Sequence, residues 1–461
     1  MRRRMTKAAA AFSALAMLAA CSGGDAEEKD KPSEASKSAE TEEAEPEETE
    51  EAEEPSAGSF EYPDLSGETL DVASDWSGAE QENFEEVLAK FEQETGASVS
   101  YQSLGNNIAT ALGTQLEGGG APDIALVPQP GLIENLQENG HLSPLNETAM
   151  AEVEKNYAQT WMDLSTYDGD VYGVWFKAAN KSTIWYNTEV WDTAGVEAPE
   201  TWEDFTAALQ TVSDSGVPAL AVGADVGWPL TDWFENVYLR TAGGEKYDQL
   251  AKHEIPWTDD SVIEALEVIS EVWSNDALLL PNGAQRSFPE SVSAVFGDPA
   301  EAGTVYEGDF VAGTIADQTD AKVGEDAKYF PWPSINGSAP AVMGSGNAAI
   351  AFNDDEATMA LMAYLASPDA ANIWIAKGGF TSPNQNADMT LYPDDISLQI
   401  AEDLVNAETF RFDLSDLAPS AFGGTEGEGM WQLLIDFYEN PDDVEGIAQK
   451  LEDAATAAYG N

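Results

Sequence analysis

From about residue 60 onward, apolar and polar positions fall into two alternating patterns. Short apolar runs bounded by turn residues predict strands, and apolar residues at i, i+3, i+4 and i+7 predict helices. Thr69-Leu-Asp-Val-Ala73 reads as a strand; Phe84, Val87, Leu88 and Phe91 read as a helix, with Ser77 as cap and Gly96 as stop. Val99-Ser-Tyr101, a helix through Ile108, Leu112 and Leu116, the break at Gly118-Gly-Gly120 and a strand within Pro122–Pro130 repeat the unit. Such alternation predicts α/β lobes, each a doubly wound, mostly parallel sheet flanked by helices. In sheets of this kind ligands bind beyond the carboxyl ends of the strands, which here carry Trp76 and Gln129.

The pattern changes at Val171-Tyr-Gly-Val-Trp-Phe-Lys-Ala-Ala-Asn-Lys-Ser-Thr-Ile-Trp-Tyr-Asn187, two extended aromatic segments joined by a polar piece. Its strand formers call for an interior, yet Lys177, Asn180, Lys181 and Ser182 would each need a partner there. A strand leaving one lobe and entering another along the floor of a cleft meets both demands. An ordinary central strand with a polar loop fits the same residues.

Further on, Thr201 caps a helix through Phe205, and Val217–Val222 reads as a strand. The loop after it places Trp228, Asp232 and Trp233 together at the start of a helix running to Arg240. Tyr306, Glu307 and Asp309 bring a phenol and two carboxylates to one strand end. Pro340–Phe352 reads as a return crossover, with Gly344 and Gly346 as points of close backbone approach at a hinge; helices through Met362 and Trp374 follow. Loops at Gly378–Pro383, carrying Phe380, and at Arg411–Phe422, carrying Asp413, precede two terminal helices.

Ahead of this body the chain opens with a basic stretch, Met1–Lys7, and an apolar run, Ala8–Ala20, too short to span a bilayer. The run ends at Cys21, the only cysteine in 461 residues. Residues 1–20 read as a signal peptide; the small residues before Cys21 resemble the lipobox of bacterial lipoproteins, which implies that Cys21 is lipidated, and a plain signal peptidase site ahead of Cys21 fits the same residues. The arginine-rich start is also compatible with a twin-arginine signal. Residues 21–59 are Glu, Ala, Ser, Pro, Thr and Lys without an aromatic residue, an acidic tether too poor in apolar surface to fold.

With one cysteine and two histidines, zinc sets and intrachain disulfides are excluded, and no metal or cofactor is expected. The net charge of −65 excludes a nucleic-acid partner and argues against adhesion to anionic lipid.

Taken in order, the lipobox-like Leu18-Ala-Ala-Cys21, Asp75-Trp-Ser-Gly-Ala-Glu80, Ala125-Leu-Val-Pro-Gln-Pro-Gly-Leu132, the Val174–Asn187 crossover, Gly227-Trp-Pro-Leu-Thr-Asp-Trp233 and Arg411-Phe-Asp-Leu-Ser-Asp-Leu417 resemble the extracellular solute-binding proteins, family 1, of carbohydrate ABC importers, nearest the alpha-glucoside branch. The resemblance implies a two-lobed periplasmic-binding-protein-like (type II) clamp related to maltose-binding protein. It implies a lipid-anchored monomer on the outer face of the cell membrane that closes on an oligosaccharide and delivers it to an ABC permease. Expected lobes are residues 60–176 with 346–377 and residues 177–345 with 378–461.

A sugar's rim of hydroxyls calls for carboxylates and amides, and its C–H faces for aromatic planes. Expected platforms are Trp76, Trp175, Trp228, Trp233, Tyr306 and Phe380; expected hydrogen-bonders are Glu80, Gln129, Lys177, Asp232, Glu307, Asp309, Arg411 and Asp413. A secreted glycosidase would present similar paired carboxylates, and a surface adhesin or peptide-binding lipoprotein would share the anchor and tether.

Overall fold

The computed structural model describes residues 60–460. The expected signal peptide, lipidation site and tether lie outside the described residues. Within them no helix is long and apolar enough to cross a membrane.

Two sheets organise the molecule. The larger is assembled from β1 (Thr69–Ser74), β2 (Ser98–Ser103) and β3 (Ile124–Val127), joined by the helices Ala79–Thr95 and Ile108–Gly118. A small ribbon, β4 (Thr166–Tyr167) and β5 (Asp170–Val171), leads into β6 (Gly173–Asn180), which joins the larger sheet. After Lys181 and Ser182 the chain enters the smaller sheet as β7 (Thr183–Asn187), with β8 (Leu220–Ala221), β9 (Thr304–Tyr306) and β10 (Ala327–Pro331). It returns as β11 (Val342–Ala351) and β12 (Phe410–Phe412) to complete the larger sheet in the order β12-β11-β3-β1-β2, with β6 also on β11.

Both sheets are mixed rather than mostly parallel. β1 pairs in parallel with β2 and β3, as right-handed βα units require. β11, arriving from the other lobe, runs antiparallel to both β3 and β6. The smaller sheet pairs β7 antiparallel with β10 and β9, and only β8 with β9 in parallel.

The smaller sheet is buried on both faces. Ile184, Tyr306 and Phe330 join one hydrophobic cluster, while their chain neighbours Trp185, Val305 and Tyr329 join another, as a side-chain period of two dictates. A third cluster, with Phe84, Phe91, Tyr364 and Trp374 at its centre, belongs to the larger sheet.

The crossover from β6 to β7 is realised. The expected division at residues 176/177 nevertheless falls inside β6, and the one at 345/346 falls inside β11; sheet pairing keeps each strand whole. Pro340–Phe352 is no second crossover of the same kind, because β11 stays within the larger sheet along its length. Gly346 does mark close approach, since a Cβ there would stand 2.5 Å from the Lys177 carbonyl oxygen. Ser77 does not cap its helix; Gly78 holds the cap position without a side-chain bond. The helix at Trp228 continues to Ala251 with a break at Gly243, whose φ of 81° suits only glycine well.

Candidate functional site

The short junction between β6 and β7 lies where the lobes meet, and hydrogen bonds fix it there. The Lys181 amide donates to the Met343 carbonyl at 3.0 Å, and the Ser182 hydroxyl donates to Asn236 at 2.6 Å while accepting from the Met343 amide at 2.9 Å. Above this floor opens a cavity of about 340 Å³. One wall comes from the carboxyl ends of β1 and β3, with Asp75, Trp76, Glu80 and Gln129; the floor shows Lys177, Lys181, Ser345 and Asn347. The opposite wall brings Trp228, Phe288, Phe310, Asp413, Asp416 and Trp431. Gly227, at φ 95°, turns the chain into the helix that presents Trp228, and a side chain there would run into the Trp431 carbonyl.

Of the residues expected from sequence, Trp76, Glu80, Gln129, Lys177, Trp228 and Asp413 line this cavity. Trp228 is half-buried, its ring held by Phe288 at 5.5 Å and Phe310 at 6.0 Å. Trp76 shows the cavity only an edge, because Phe84 and Trp374 cover most of its ring.

The other expected platforms belong to the cores. Trp175 packs on Trp161 and Phe412, Phe380 stacks on Trp374, and Trp233 meets Trp273, Tyr306 and Trp332 edge to face. The Tyr306 ring is buried with it, its hydroxyl donating to the Lys181 carbonyl at 2.8 Å. Arg411 lies outside the cavity, paired with Asp248 at 2.6 Å, and Asp309 turns to the Thr381 hydroxyl. Asp232 and Glu307 sit beneath the floor, fully buried.

Sequence reasoning missed Asp75, Asn347, Phe288, Phe310 and Trp431 as cavity residues, and passed over Lys181. Only Lys181 and Asp75 carried a usable signal: an unpaired charge inside a crossover, and a carboxylate at a strand's carboxyl end.

Two lysines organise the electrostatics. The Lys177 ammonium pairs with Glu80 and lies 5.1 Å from the centre of the Trp374 ring and 5.7 Å from that of Phe310. Beside it, Asp75 accepts from the Asn347 amide at 3.0 Å, and burial together with the nearby Glu80 charge pushes its carboxyl up to about 7. The Lys181 ammonium reaches Asp413 at 2.7 Å and Asp232 at 3.0 Å. Burial works against its charge, yet these carboxylates hold it well above the usual lysine value. Burial likewise opposes ionisation of Asp413, but Lys181 and the hydrogen bond from Ser415 at 2.7 Å keep it below the ordinary range.

Asp232, Glu235 and Asp413 each bring an oxygen within 4.8 Å of the others, a spacing that could suit a metal ion. The ammonium of Lys181 already stands there. Glu235, moreover, is spent on the amides of Leu414 at 2.6 Å and Ser415 at 3.0 Å. The arrangement is a buried salt-bridge network whose one free face is the cavity. It can accept hydrogen bonds through carboxylates, donate them through two ammoniums and an amide, and stack apolar faces on Trp228 and Phe310.

Residues 75–372 match the family described as bacterial extracellular solute-binding proteins. The chain is a member of that family. This solute-binding protein is 36% identical to the osmoprotective compounds-binding protein GgtB of Synechocystis sp., over 79% of its own length and 87% of that relative's. It is 33% identical to the alpha-glucosides-binding periplasmic protein AglE of Rhizobium meliloti, over 85% and 88%. Its fold superposes on the bacterial solute receptor AcbH with a TM-score of 0.75 at 19% identity, covering 85% of this chain and 99% of that one. The GacH receptor of Streptomyces glaucescens gives a TM-score of 0.69 at 15% identity, covering 86% and 100%. The solute-binding protein thus has the two-lobed receptor fold, and its cavity opens where the two lobes meet.

Proposed function

We propose that the protein captures a short α-glucoside in the inter-lobe cavity and hands it to the permease of an ABC importer in the same membrane. The observation that carries this reading is the composition of the cavity: the rings of Trp228, Phe288 and Phe310 line it together with the polar groups of Asp75, Lys177 and Asn347. A neutral sugar needs that pairing of planes with rim donors and acceptors. A volume of about 340 Å³ favours a ligand of one or two sugar units over a long oligosaccharide. The name of one relative, which binds α-glucosides, agrees with this ligand class.

In this reading Cys21 carries the lipid, the acidic segment 21–59 is the tether, and the body works as a monomer. Tethering raises the effective concentration of the loaded receptor at its permease.

The test is a thermal-shift and calorimetry panel of maltose, trehalose, sucrose and their monosaccharides. A true ligand at a hundred times its Kd stabilises the folded state by about 2.7 kcal/mol. It is recovered intact afterwards. Stabilisation by none of the panel overturns the α-glucoside assignment, and recovery of hydrolysed sugar would make the protein a glycosidase.

A further inference from the structure

The cavity holds more negative charge than its own cations answer. Six carboxylates line it, on Asp75, Glu80, Asp225, Asp317, Asp413 and Asp416, against the two ammoniums of Lys177 and Lys181. Both ammoniums are committed. Lys177 pairs with Glu80, and Lys181 reaches Asp413 at 2.7 Å and the buried Asp232 at 3.0 Å. Asp75 has the neutral Asn347 amide at 3.0 Å, and Asp225 and Asp317 are exposed to solvent.

That leaves Asp416. It is 7% exposed and lines the cavity, yet among the described residues no donor makes a hydrogen bond to its carboxylate and no cation pairs with it. Its backbone is held in place. In the short helix Leu414–Leu417 that carries it, the Leu414 and Ser415 amides donate to Glu235, and the Asp416 amide donates to the capping Asp413 carboxylate at 3.0 Å. The peptide is thus fixed by its neighbours while the side chain is left to the ligand. An ionised carboxylate in so dry a place needs a partner charge, and a sugar hydroxyl supplies a donor but no charge. Burial and the Asp413 charge push the Asp416 carboxyl well above its usual value, so in the empty cavity a proton supplies the compensation.

We propose that the favoured glycoside bears a protonated amine, and that Asp416 is the group that selects it. This selectivity rests on the sugar-binding reading of the cavity and narrows it to amino sugars. The ligand ammonium takes the place of the proton on Asp416, which leaves to solvent, and brings the wall a charge together with up to three donors. The sugar's C–H face lies on Trp228, which lines the same cavity. Lys177 and Lys181 stay with the carboxylates that hold them, so the entering cation meets no unpaired ammonium. The net charge of −65 draws cations toward the mouth.

The test sets maltose and trehalose against their monoamino forms, in which an amino group replaces each hydroxyl of one glucose ring in turn. Calorimetry on the whole protein at neutral pH should find at least one amino form bound about tenfold more tightly than its parent sugar, the gain expected of one charge-assisted hydrogen bond. Asp416→Asn keeps the shape and loses the charge, and should bring that pair within about threefold of each other. Should the variant fail to fold, the ligand carries the same test: N-acetylation of the amine should abolish the gain, and N-methylation, which keeps the charge, should preserve it. If the parent sugars bind and no amino form binds more tightly, the inference is overturned while the sugar-binding reading stands. A gain that survives in Asp416→Asn, or in the acetylated ligand, overturns it too. Binding of neither kind of sugar overturns both.

Discussion

The Lys181 ammonium stands 2.7 Å from Asp413 and 5.6 Å from the centre of the Trp228 ring, so one side chain of the crossover touches both the buried carboxylates and the aromatic wall of the cavity. The residue that leaves β6 for β7 thereby joins the lobes electrostatically as well as through the backbone. Changes at the cavity wall and in the buried network should be coupled through it.

Trp228 offers the cleanest separation of binding from folding. Its ring lies between Phe288, Phe310 and the cavity rather than inside a core cluster. Trp228→Ala should weaken binding of the best sugar in the panel by about 1–3 kcal/mol, by analogy with aromatic stacking under a planar ligand. Its apo melting temperature should move little. Trp233→Ala, inside the core, should cost about 3–5 kcal/mol of stability instead. Calorimetry and melting of the two variants side by side check this, and equal losses of stability would place Trp228 in the core.

Asp75 predicts a pH signature. Its carboxyl, pushed up to about 7, is partly protonated in the empty cavity and accepts sugar hydroxyls best when ionised. Sugar binding should therefore release protons near neutrality, and affinity should rise as pH climbs through about 7. For the empty protein the sign is opposite: a raised folded-state pKa is stability lost over the same rise. Calorimetry in buffers of different ionisation enthalpy measures the released protons, and Asp75→Asn should abolish most of the release.

The overall architecture was readable in the chain because alternating strand and helix patterns are local. The crossover was readable for the same reason, since strand formers and polar groups stand side by side in one stretch. Which aromatic residues face the cavity was readable only in part, since Trp76 and Trp228 line it while Trp175, Trp233, Tyr306 and Phe380 do not. Trp175 and Lys177 lie two positions apart, and in a regular strand would share a face; the register shift in the β6–β11 pairing at Asn347/Ala348 sends Trp175 to Trp161 and Phe412 instead. The buried network joins positions 181, 232, 307 and 413, which come together only through both sheets, so no spacing in sequence announces it.

Lys181→Met removes the one cation from that network and leaves buried carboxylates without a counter-charge. Loss of a partner from a buried ion pair costs about 3–5 kcal/mol, partly relieved here by proton uptake. Urea unfolding should show a lowered midpoint that recovers in part as pH falls. An unchanged midpoint near neutral pH would mean that the lysine contributes no stability.

Cys21→Ser tests the anchor independently of the cavity. A thioether-linked lipid cannot form on serine, so the variant should appear in the medium or persist as uncleaved precursor. Retention on the membrane after processing would remove Cys21 from the account.

The return strand β11 also has a consequence for how the chain reaches its native state. It occupies the middle of the larger sheet, with Ala348 opposite Val127 on one side and opposite Trp175 on the other. Until that strand has emerged, β3 and β6 have no neighbour to join them, and the earlier βα units are an open edge. Contacts of such long sequence separation make folding slow, and completion of the first lobe waits on the synthesis of most of the second. A chain that cannot finish folding early spends longer with its first lobe open.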